Sequence, residues 1–311
     1  ELWERCPAAT PFQTPDWLIP WWKHLGESEL LVLAVREEGR LVGLAPFFLY
    51  TKPGSRVREL FLLGTGTTDY LDALFLPGWA EAGAEAVFAR LDAMSHRWDL
   101  CDLQQLSDES PLLGAVPEGW IEEVGPAEAC PVLALDAHLS RVPGKMLHNL
   151  RYYRRRAERC GRVEIEAARP ENLDALFAAL LRLHAARWSE RGEGGVLADP
   201  RVQRHHRGAA PELLRRGVLQ LFALRIDGEI VACYYGLLAR GRAYYYLSGF
   251  DPAWSHLSPG TLVIGHALEE AVRGGARELD FLRGREPYKY FWGAEDHFPA
   301  RRRLWHPVSR D

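Results

Sequence analysis

The amino-acid sequence repeats itself once, at long range. Sliding the chain by 189 positions places Val35-Arg36 on Leu224-Arg225, Gly39 on Gly228 and Val42-Gly43 on Val231-Ala232. Both segments read as two strands joined by a short turn. The first pair is Leu31–Val35 and Leu41–Phe48. The second is Leu219–Ile226 and Glu229–Leu238, joined at Asp227-Gly228, a dipeptide that favours the type I′ hairpin turn. A second echo comes later in the same order. Glu81–His96 has helical periodicity and leads into a strand at Trp98–Leu103, and Thr261–Arg273 leads in the same way into Arg277–Leu282. Hairpin, further strand, helix, strand therefore occurs twice. This predicts a duplicated α/β unit, and the spacing is too long for a solenoid.

A length of 311 residues fits two domains at about 150 residues each. Pro126–Pro143 separates the echoes and holds a short strand, Val132–Leu135, which places the boundary near residue 140, with domains 1–140 and 141–311. After it the sequence predicts a basic helix (Lys145–Arg159), a strand (Val163–Ala167), a helix (Glu171–Arg191), a glycine-rich loop (Arg191–Gly195) and a further helix (Pro200–Arg216). Charge divides at the same place. Residues 1–140 hold 9 Lys+Arg against 22 Asp+Glu, and residues 141–311 hold 29 against 20. Such asymmetry fits two domains with different electrostatic tasks. The overall charge of −4 argues against a general DNA or RNA binder. No apolar run approaches the ~20 residues of a membrane-spanning helix. Five scattered cysteines without a C-x-x-C pair argue against a disulfide framework or a zinc ribbon and point to a reducing cytoplasm. Arginine outnumbers lysine 34 to 4, so each of Lys23, Lys52, Lys145 and Lys289 stands where arginine was the default cation.

Four segments could carry chemistry. In the first, a strand (Tyr244–Phe250) leads through a loop to Ser258-Pro259-Gly260-Thr261, where Ser suits an N-cap, Pro the first helical position, and Gly a close ligand approach. A helix beginning there offers free N–H groups to a phosphate, or is simply a capped helix. In the second, Asp280–Gly293 runs from a strand through Arg283-Gly284 into an aromatic segment carrying Lys289, which could stabilise an oxyanion or hold a phosphate, or pack a domain edge. The third, Gly64–Asp72, opens like a dinucleotide fingerprint but has Asp69 at the third glycine, so it reads as a turn into a strand Tyr70–Leu76. There Asp69 and Asp72 bind an amine or cap the turn. In the fourth, Arg151, Arg155 and Arg159 share one helix face, which is a solvated basic surface or a contact for RNA or a CoA phosphate. His205-His206 reads as a solvated pair, with no partner at metal-ligand spacing.

The second half resembles a known family. Asn149-Leu150-Arg151, Ala186-Arg187-Trp188, Ala198-Asp199-Pro200, Tyr246–Pro252, Ser258–Thr261, Asp280–Gly284 and Pro287-Tyr288-Lys289 are similar to the GNAT-related acyltransferases of the CelD-like or BioF2-like type, relatives of the Fem peptidyltransferases. Phe12–Trp17 and Thr67–Asp72 look like the N-terminal domain of the same family. The resemblance implies two tandem GNAT-like domains, each a mixed, mostly antiparallel sheet flanked by helices. It also implies acyl transfer from a CoA thioester to an amine by direct attack, with no metal.

The roles that the resemblance implies are specific. Ser258, Gly260 and Thr261, in place of the R/Q-x-x-G-x-G/A pattern usual in GNATs, would cradle the pyrophosphate of acyl-CoA or acetyl-CoA, with Leu247 on the preceding strand. Lys289 would stand at the reacting carbonyl, and Tyr288 or Tyr290 would donate a proton to the leaving thiolate. Asp69, Tyr70, Asp251, Arg283 and Trp292 would bind the acceptor, with Asp69, Tyr70 and Arg283 lining a groove between the domains. Asp280, Asp251 and Glu286 are the candidate bases, with a water relay as the alternative. The acceptor would be a small-molecule or cell-envelope-precursor amine. Two other readings stay open: a Fem-like transferase that takes its acyl group from aminoacyl-tRNA, and a non-catalytic binding protein on the same fold.

Overall fold

The computed structural model describes residues 1–307 apart from Ala115, Glu190, Arg191 and Glu193. The end of the helix expected at 171–191 and part of the glycine-rich loop therefore lie outside the described residues. The chain divides into two compact units: Glu1–Ala129 with the C-terminal segment from Phe298, and Cys130–His297.

The first unit opens with α1 (Leu2–Arg5) and α2 (Pro15–Leu25). Then come β1 (Glu29–Glu37), β2 (Arg40–Thr51), β3 (Arg58–Leu62), β4 (Leu74–Phe75), α3 (Ala80–Ala93), β5 (Leu100–Leu106) and β6 (Ile121–Pro126). The second unit begins with β7 (Cys130–Ala134), α4 (Gly144–Glu158), β8 (Val163–Ala167), α5 (Leu173–Ser189) and α6 (Pro200–Arg215). It continues with β9 (Leu219–Ile226), β10 (Glu229–Ala239), β11 (Arg242–Phe250), α7 (Pro259–Arg273), β12 (Glu278–Asp280), α8 (Pro287–Phe291) and β13 (Glu295–His297). The chain then returns to the first unit as β14 (Ala300–Trp305).

The two sheets are built alike. In the first, β1, β2 and β3 are antiparallel neighbours, α3 crosses over, and β5 pairs parallel to β3. In the second, β9, β10 and β11 are antiparallel neighbours, α7 crosses over, and β12 pairs parallel to β11. Both hairpins turn on two residues of positive φ, Glu38-Gly39 (48° and 82°) and Asp227-Gly228 (51° and 84°), as the primed turn requires. The duplication read from the sequence is thus a duplication of topology.

The closing strands are exchanged. β6 and β7 are consecutive, yet β6 joins the first sheet and β7 the second; β13 and β14 are consecutive, yet β13 joins the second sheet and β14 the first. The division therefore falls at Cys130 and again at Phe298, where the sequence suggested a single boundary near residue 140. β7 is drawn across because it pairs with β12 (Asp280 opposite Val132) and with β13. The exchange also redistributes charge. Three arginines of β14 pair with first-unit carboxylates: Arg301 with Asp102 (2.6 Å), Arg302 with Glu122 (2.6 Å) and Arg303 with Glu123 (3.2 Å). Counted by units, the first holds 13 Lys+Arg against 22 Asp+Glu and the second 25 against 20.

Each sheet has its own core. Phe47, Leu60, Leu62, Phe88, Leu91, Trp98 and Leu103 fill the first, and Leu224, Tyr234, Tyr245, Val263, Leu268, Leu279 and Phe281 the second. Two sequence expectations need correcting. Of the strand expected at Tyr70–Leu76, only Leu74-Phe75 pairs, with β2. His205 and His206 are fully buried on α6, where His206 packs edge-on to Tyr235 (5.3 Å) and Tyr246 (5.1 Å). Adjacent histidines can both be buried because α6 is covered on a wide face, which also takes Val202, Ala209, Ala210 and Leu213. Burial holds His206 far below the usual histidine range and so uncharged.

Candidate active site

A break in the pairing of β11 creates the site. β11 pairs with β12 only from Arg242 to Tyr244, although it runs on to Phe250. Its other neighbour shows why. Tyr235 on β10 lies opposite Leu247 and Gly236 opposite Tyr245, so Tyr246 is an extra, bulged residue. A bulge bends its strand and shifts the alternation of side chains by one. Tyr245, Ser248 and Phe250 consequently face the same side and line a cavity of about 280 Å³. A Cβ on Gly236 would meet Tyr244 O at 2.6 Å, so glycine is needed at the bulge. β12 stops at Asp280, and the space beyond it is the opening at the carboxyl ends of parallel strands where α/β folds bind ligands.

The start of α7 forms one wall: Ser258, Pro259, Gly260 and Thr261 line the cavity. Ser258 has φ 50° and ψ 54° and makes no side-chain cap, and no acidic residue lies in the first turn. The first N–H groups and the positive end of the helix dipole are thus left to an external anion. A Cβ on Gly260 would touch Phe250 only at ordinary contact distance, 3.5 Å. Glycine at that position keeps the cavity open and is not required by backbone strain.

Aromatic residues make the opposite wall, with Tyr288, Phe291 and Trp292 supplied by α8 and the residue after it. Trp292 is buried, while Phe291 is 64% exposed. The polar groups form a chain. Arg187 Nη1 donates to Ser248 Oγ (3.1 Å), the Ser248 and Tyr245 hydroxyls are hydrogen-bonded, and Tyr245 is hydrogen-bonded to Tyr288. Burial, aided by Tyr245, pushes the Tyr288 phenol well above its ordinary range, so it stays neutral and can act as a donor. The guanidinium of Arg187 lies 5.5 Å from the Phe250 ring centroid and 5.9 Å from that of Tyr288.

Lys289 lies beneath this wall, only 2% exposed. Its Nζ donates to Leu282 O (3.0 Å), Arg283 O (2.7 Å) and Gly284 O (2.9 Å) and pairs with Glu286 (2.9 Å). Three carbonyls converge on one point, which an ammonium satisfies and a planar guanidinium cannot. The loop they belong to bends sharply, with φ 57° at Leu282 and 103° at Gly284. Asp280, fully buried, holds the start of the same loop by accepting from Leu282 N (2.7 Å).

The other expected residues lie further out. Asp251 accepts from Ala253 N (3.0 Å) and caps the short helix Pro252–Leu257. Leu247 lies opposite Tyr235 and is not among the cavity's lining residues. Arg283 is half-buried on the loop that Lys289 holds, and Tyr290 donates to Asp296 (2.7 Å). Asp69 and Tyr70 are buried in the first unit, where Tyr70 O accepts from Gln13 Nε2 (3.2 Å). Asp72 accepts from Ser110 Oγ (2.8 Å) and Ala73 N (2.7 Å) there, and burial lifts its carboxyl to about 7. Every described lining residue of the cavity belongs to the second unit. The structure thus gathers Ser258, Gly260, Thr261, Tyr288 and Trp292 at one cavity and sets Lys289 and Asp280 behind it. Arg187, Tyr245, Ser248 and Phe250 are the site residues that reading the sequence for function missed. The signal was a bulge, which shows only when strands are paired.

The acetyltransferase (GNAT) domain family matches residues 144–290. The second unit is a GNAT acetyltransferase domain. That makes the chain an acyltransferase, with α7 as the crossover helix and the β11–α7 loop at its cavity. Solved structures support the fold over nearly the whole length. FemX superposes with a TM-score of 0.69 at 11% identity, covering 97% of this chain and 94% of FemX. A conserved protein of unknown function from Bacteroides thetaiotaomicron gives 0.63 at 13% identity, covering 94% and 90%. L-PGS from Bacillus licheniformis gives 0.57 at 12%, covering 96% and 93%. At these identities the likeness concerns the fold alone. No curated protein sequence matches the chain. Among the described residues no helix is long and apolar enough to cross a membrane, and no group of three or more His, Cys, Asp or Glu side chains could hold a metal ion.

Proposed function

We propose that the chain transfers an acyl group from acyl-CoA to an amine. One observation carries this reading: the β11–β12 opening is walled by a helix start that has neither a side-chain cap nor an acidic residue. The pyrophosphate would lie against Gly260 and Thr261, and the thioester would enter the opening beside β11. A neutral amine attacks the thioester carbon, the C–S bond breaks, and the amine's proton passes to solvent or to a water. Tyr288, kept neutral, donates a hydrogen bond to the developing oxyanion or the departing thiolate. Lys289 and Asp280 act as positioning residues: they shape the Leu282–Gly284 loop and hold α8, which carries Tyr288. A location in the cytoplasm suits a CoA thioester.

The second reading, an aminoacyl-tRNA donor, has its own support. Lys145, Arg151 and Arg155 are exposed on α4 and Arg159 directly after it, and the start of α4 reaches the cavity at Met146. Thermal shift with acetyl-CoA, a long-chain acyl-CoA and charged tRNA separates the two. The first reading expects stabilisation by the thioesters that survives added salt. Stabilisation by tRNA alone, falling steeply between about 50 and 200 mM salt, would replace it with the second.

A further inference from the structure

Among the described residues that line the cavity, Arg187 has the only charged side chain. It comes from α5, and α5 and α7 cover opposite faces of the sheet. A Cβ on Gly249 would strike His184 N of α5 at 2.4 Å, while the neighbours Ser248 and Phe250 point the other way, into the cavity beside α7. Arg187 therefore reaches across the free end of β11. Among the described residues one of its five donor hydrogens is used, on Ser248, and no carboxylate pairs with it. Its guanidinium carbon lies near the ring centroids of both Phe250 (5.5 Å) and Tyr288 (5.9 Å). A half-buried guanidinium in an aromatic cavity is costly without a counter-charge. Among the described residues that counter-charge is missing.

We propose that Arg187 binds a carboxylate of the substrate, so that the enzyme selects a carboxylate-bearing partner for acyl transfer. The inference rests on the reading of the cavity as an acyl-transfer site. The planar fork of a single guanidinium matches a planar, singly charged carboxylate in bidentate fashion. A diphosphate has the separate helix start at Gly260 and Thr261, with its several backbone donors. The carboxylate can sit on the acyl chain, as in succinyl-CoA, or on the acceptor, as in an α-amino acid.

The test measures binding of acetyl-CoA and succinyl-CoA by calorimetry, and release of free CoA when acetyl-CoA meets α-amino acids or their amides. Wild type is compared with Arg187→Met and Arg187→Lys, with Tm as the folding control. If the acyl chain carries the carboxylate, succinyl-CoA binds at least 10-fold tighter than acetyl-CoA and Arg187→Met abolishes the difference. If the acceptor carries it, amino acids outpace their amides at least 10-fold and Arg187→Met abolishes that preference. Arg187→Lys retains part of either effect. Acetyl-CoA binding with no preference in either pair overturns the proposal while leaving the acyl-CoA reading intact. Equal weakening of both thioesters in Arg187→Met also overturns it, because the guanidinium would then serve the pyrophosphate. Failure of a folded wild type to bind either thioester removes the underlying reading, and the proposal with it.

Discussion

Each unit has one parallel strand pair, and each pair holds for three residues: Glu59–Phe61 with Leu100–Asp102, and Arg242–Tyr244 with Glu278–Asp280. The units differ in the chain that leads from this pair to the crossover helix. In the second unit β11 ends at Phe250 and α7 begins at Pro259. In the first, β3 ends at Leu62 and α3 begins only at Ala80, with Gly64–Gly78 inserted. That insert is fastened by α2, as Trp17 donates to Thr68 (3.0 Å) and Trp21 to Thr67 (2.7 Å). α3 also carries Glu81 in its first turn, which already neutralises the helix dipole, whereas α7 leaves its own unanswered. The same topology therefore makes a tied-down loop in one unit and a ligand cavity in the other. A few residues after the third paired position decide which.

A second contrast concerns buried cations. Arg302, 3% exposed, donates to Leu112 O (2.8 Å) and Gly114 O (2.7 Å) and pairs with Glu122. Lys289 does the same work for Leu282–Gly284 with Glu286. Separated carbonyls suit the fork of arginine, and three convergent ones suit an ammonium.

The largest expected effect comes from removing residues 298–311. This deletes β14 from between β5 and β6, and hydrogen exchange should show lost protection over β5 and β6 while β9–β11 stay protected. Loss confined to the second unit would break the strand assignment. Next is Lys289→Met, which leaves three carbonyls and Glu286 without their cation and should cost about 3 kcal/mol or more in denaturant unfolding. Lys289→Arg should rescue little of it. A variant within about 0.5 kcal/mol of wild type would mean that the clamp is not needed.

A smaller effect separates the units by pH. The folded-state carboxyl of Asp72 is raised to about 7 by burial, so the folded state holds a proton that the unfolded state releases near 4. That contribution is complete below about pH 4 and is lost as pH rises through about 7. Asp72→Asn should therefore raise Tm relative to wild type by a few degrees at pH 8 and by little at pH 4. An equal change at both values would show that Asp72 does not titrate in this range. The smallest effect is expected at the exposed Arg58–Asp99 pair of the first unit, where Arg58→Met should change stability by no more than about 1 kcal/mol.

Much of this was legible in the chain itself. The hairpins and the two crossover helices obey local rules of turn chemistry and periodicity, and Pro259 marks the start of α7, although Ser258 does not make the side-chain cap that its residue type suggests. The exchange of β7 and β14 does not, because pairing partners far apart in sequence leave no local trace. It also changed the meaning of the charge asymmetry, since Arg301, Arg302 and Arg303 neutralise first-unit carboxylates. The scarcity of lysine pointed to Lys289, but convergence of three carbonyls is a tertiary fact, and it underlies the positioning role proposed for that residue. His205 and His206 look solvated by composition because burial depends on which face α6 presents. Arg187 stood in plain view, and its role emerged only when the Tyr246 bulge brought Ser248, Phe250 and Tyr288 around it.

Under the proposed function, the start of α7 beside the β11–β12 opening binds the acyl donor. Calorimetric titration of acetyl-CoA into wild type and Gly260→Asp tests it most directly, with Tm measured for both. Space at Gly260 lets the variant fold with its Tm close to that of wild type, and the added carboxylate meets the pyrophosphate. Saturable one-to-one binding to wild type and at least a 10-fold loss in the variant are expected. Equal binding by both proteins, or no binding by folded wild type, would contradict it.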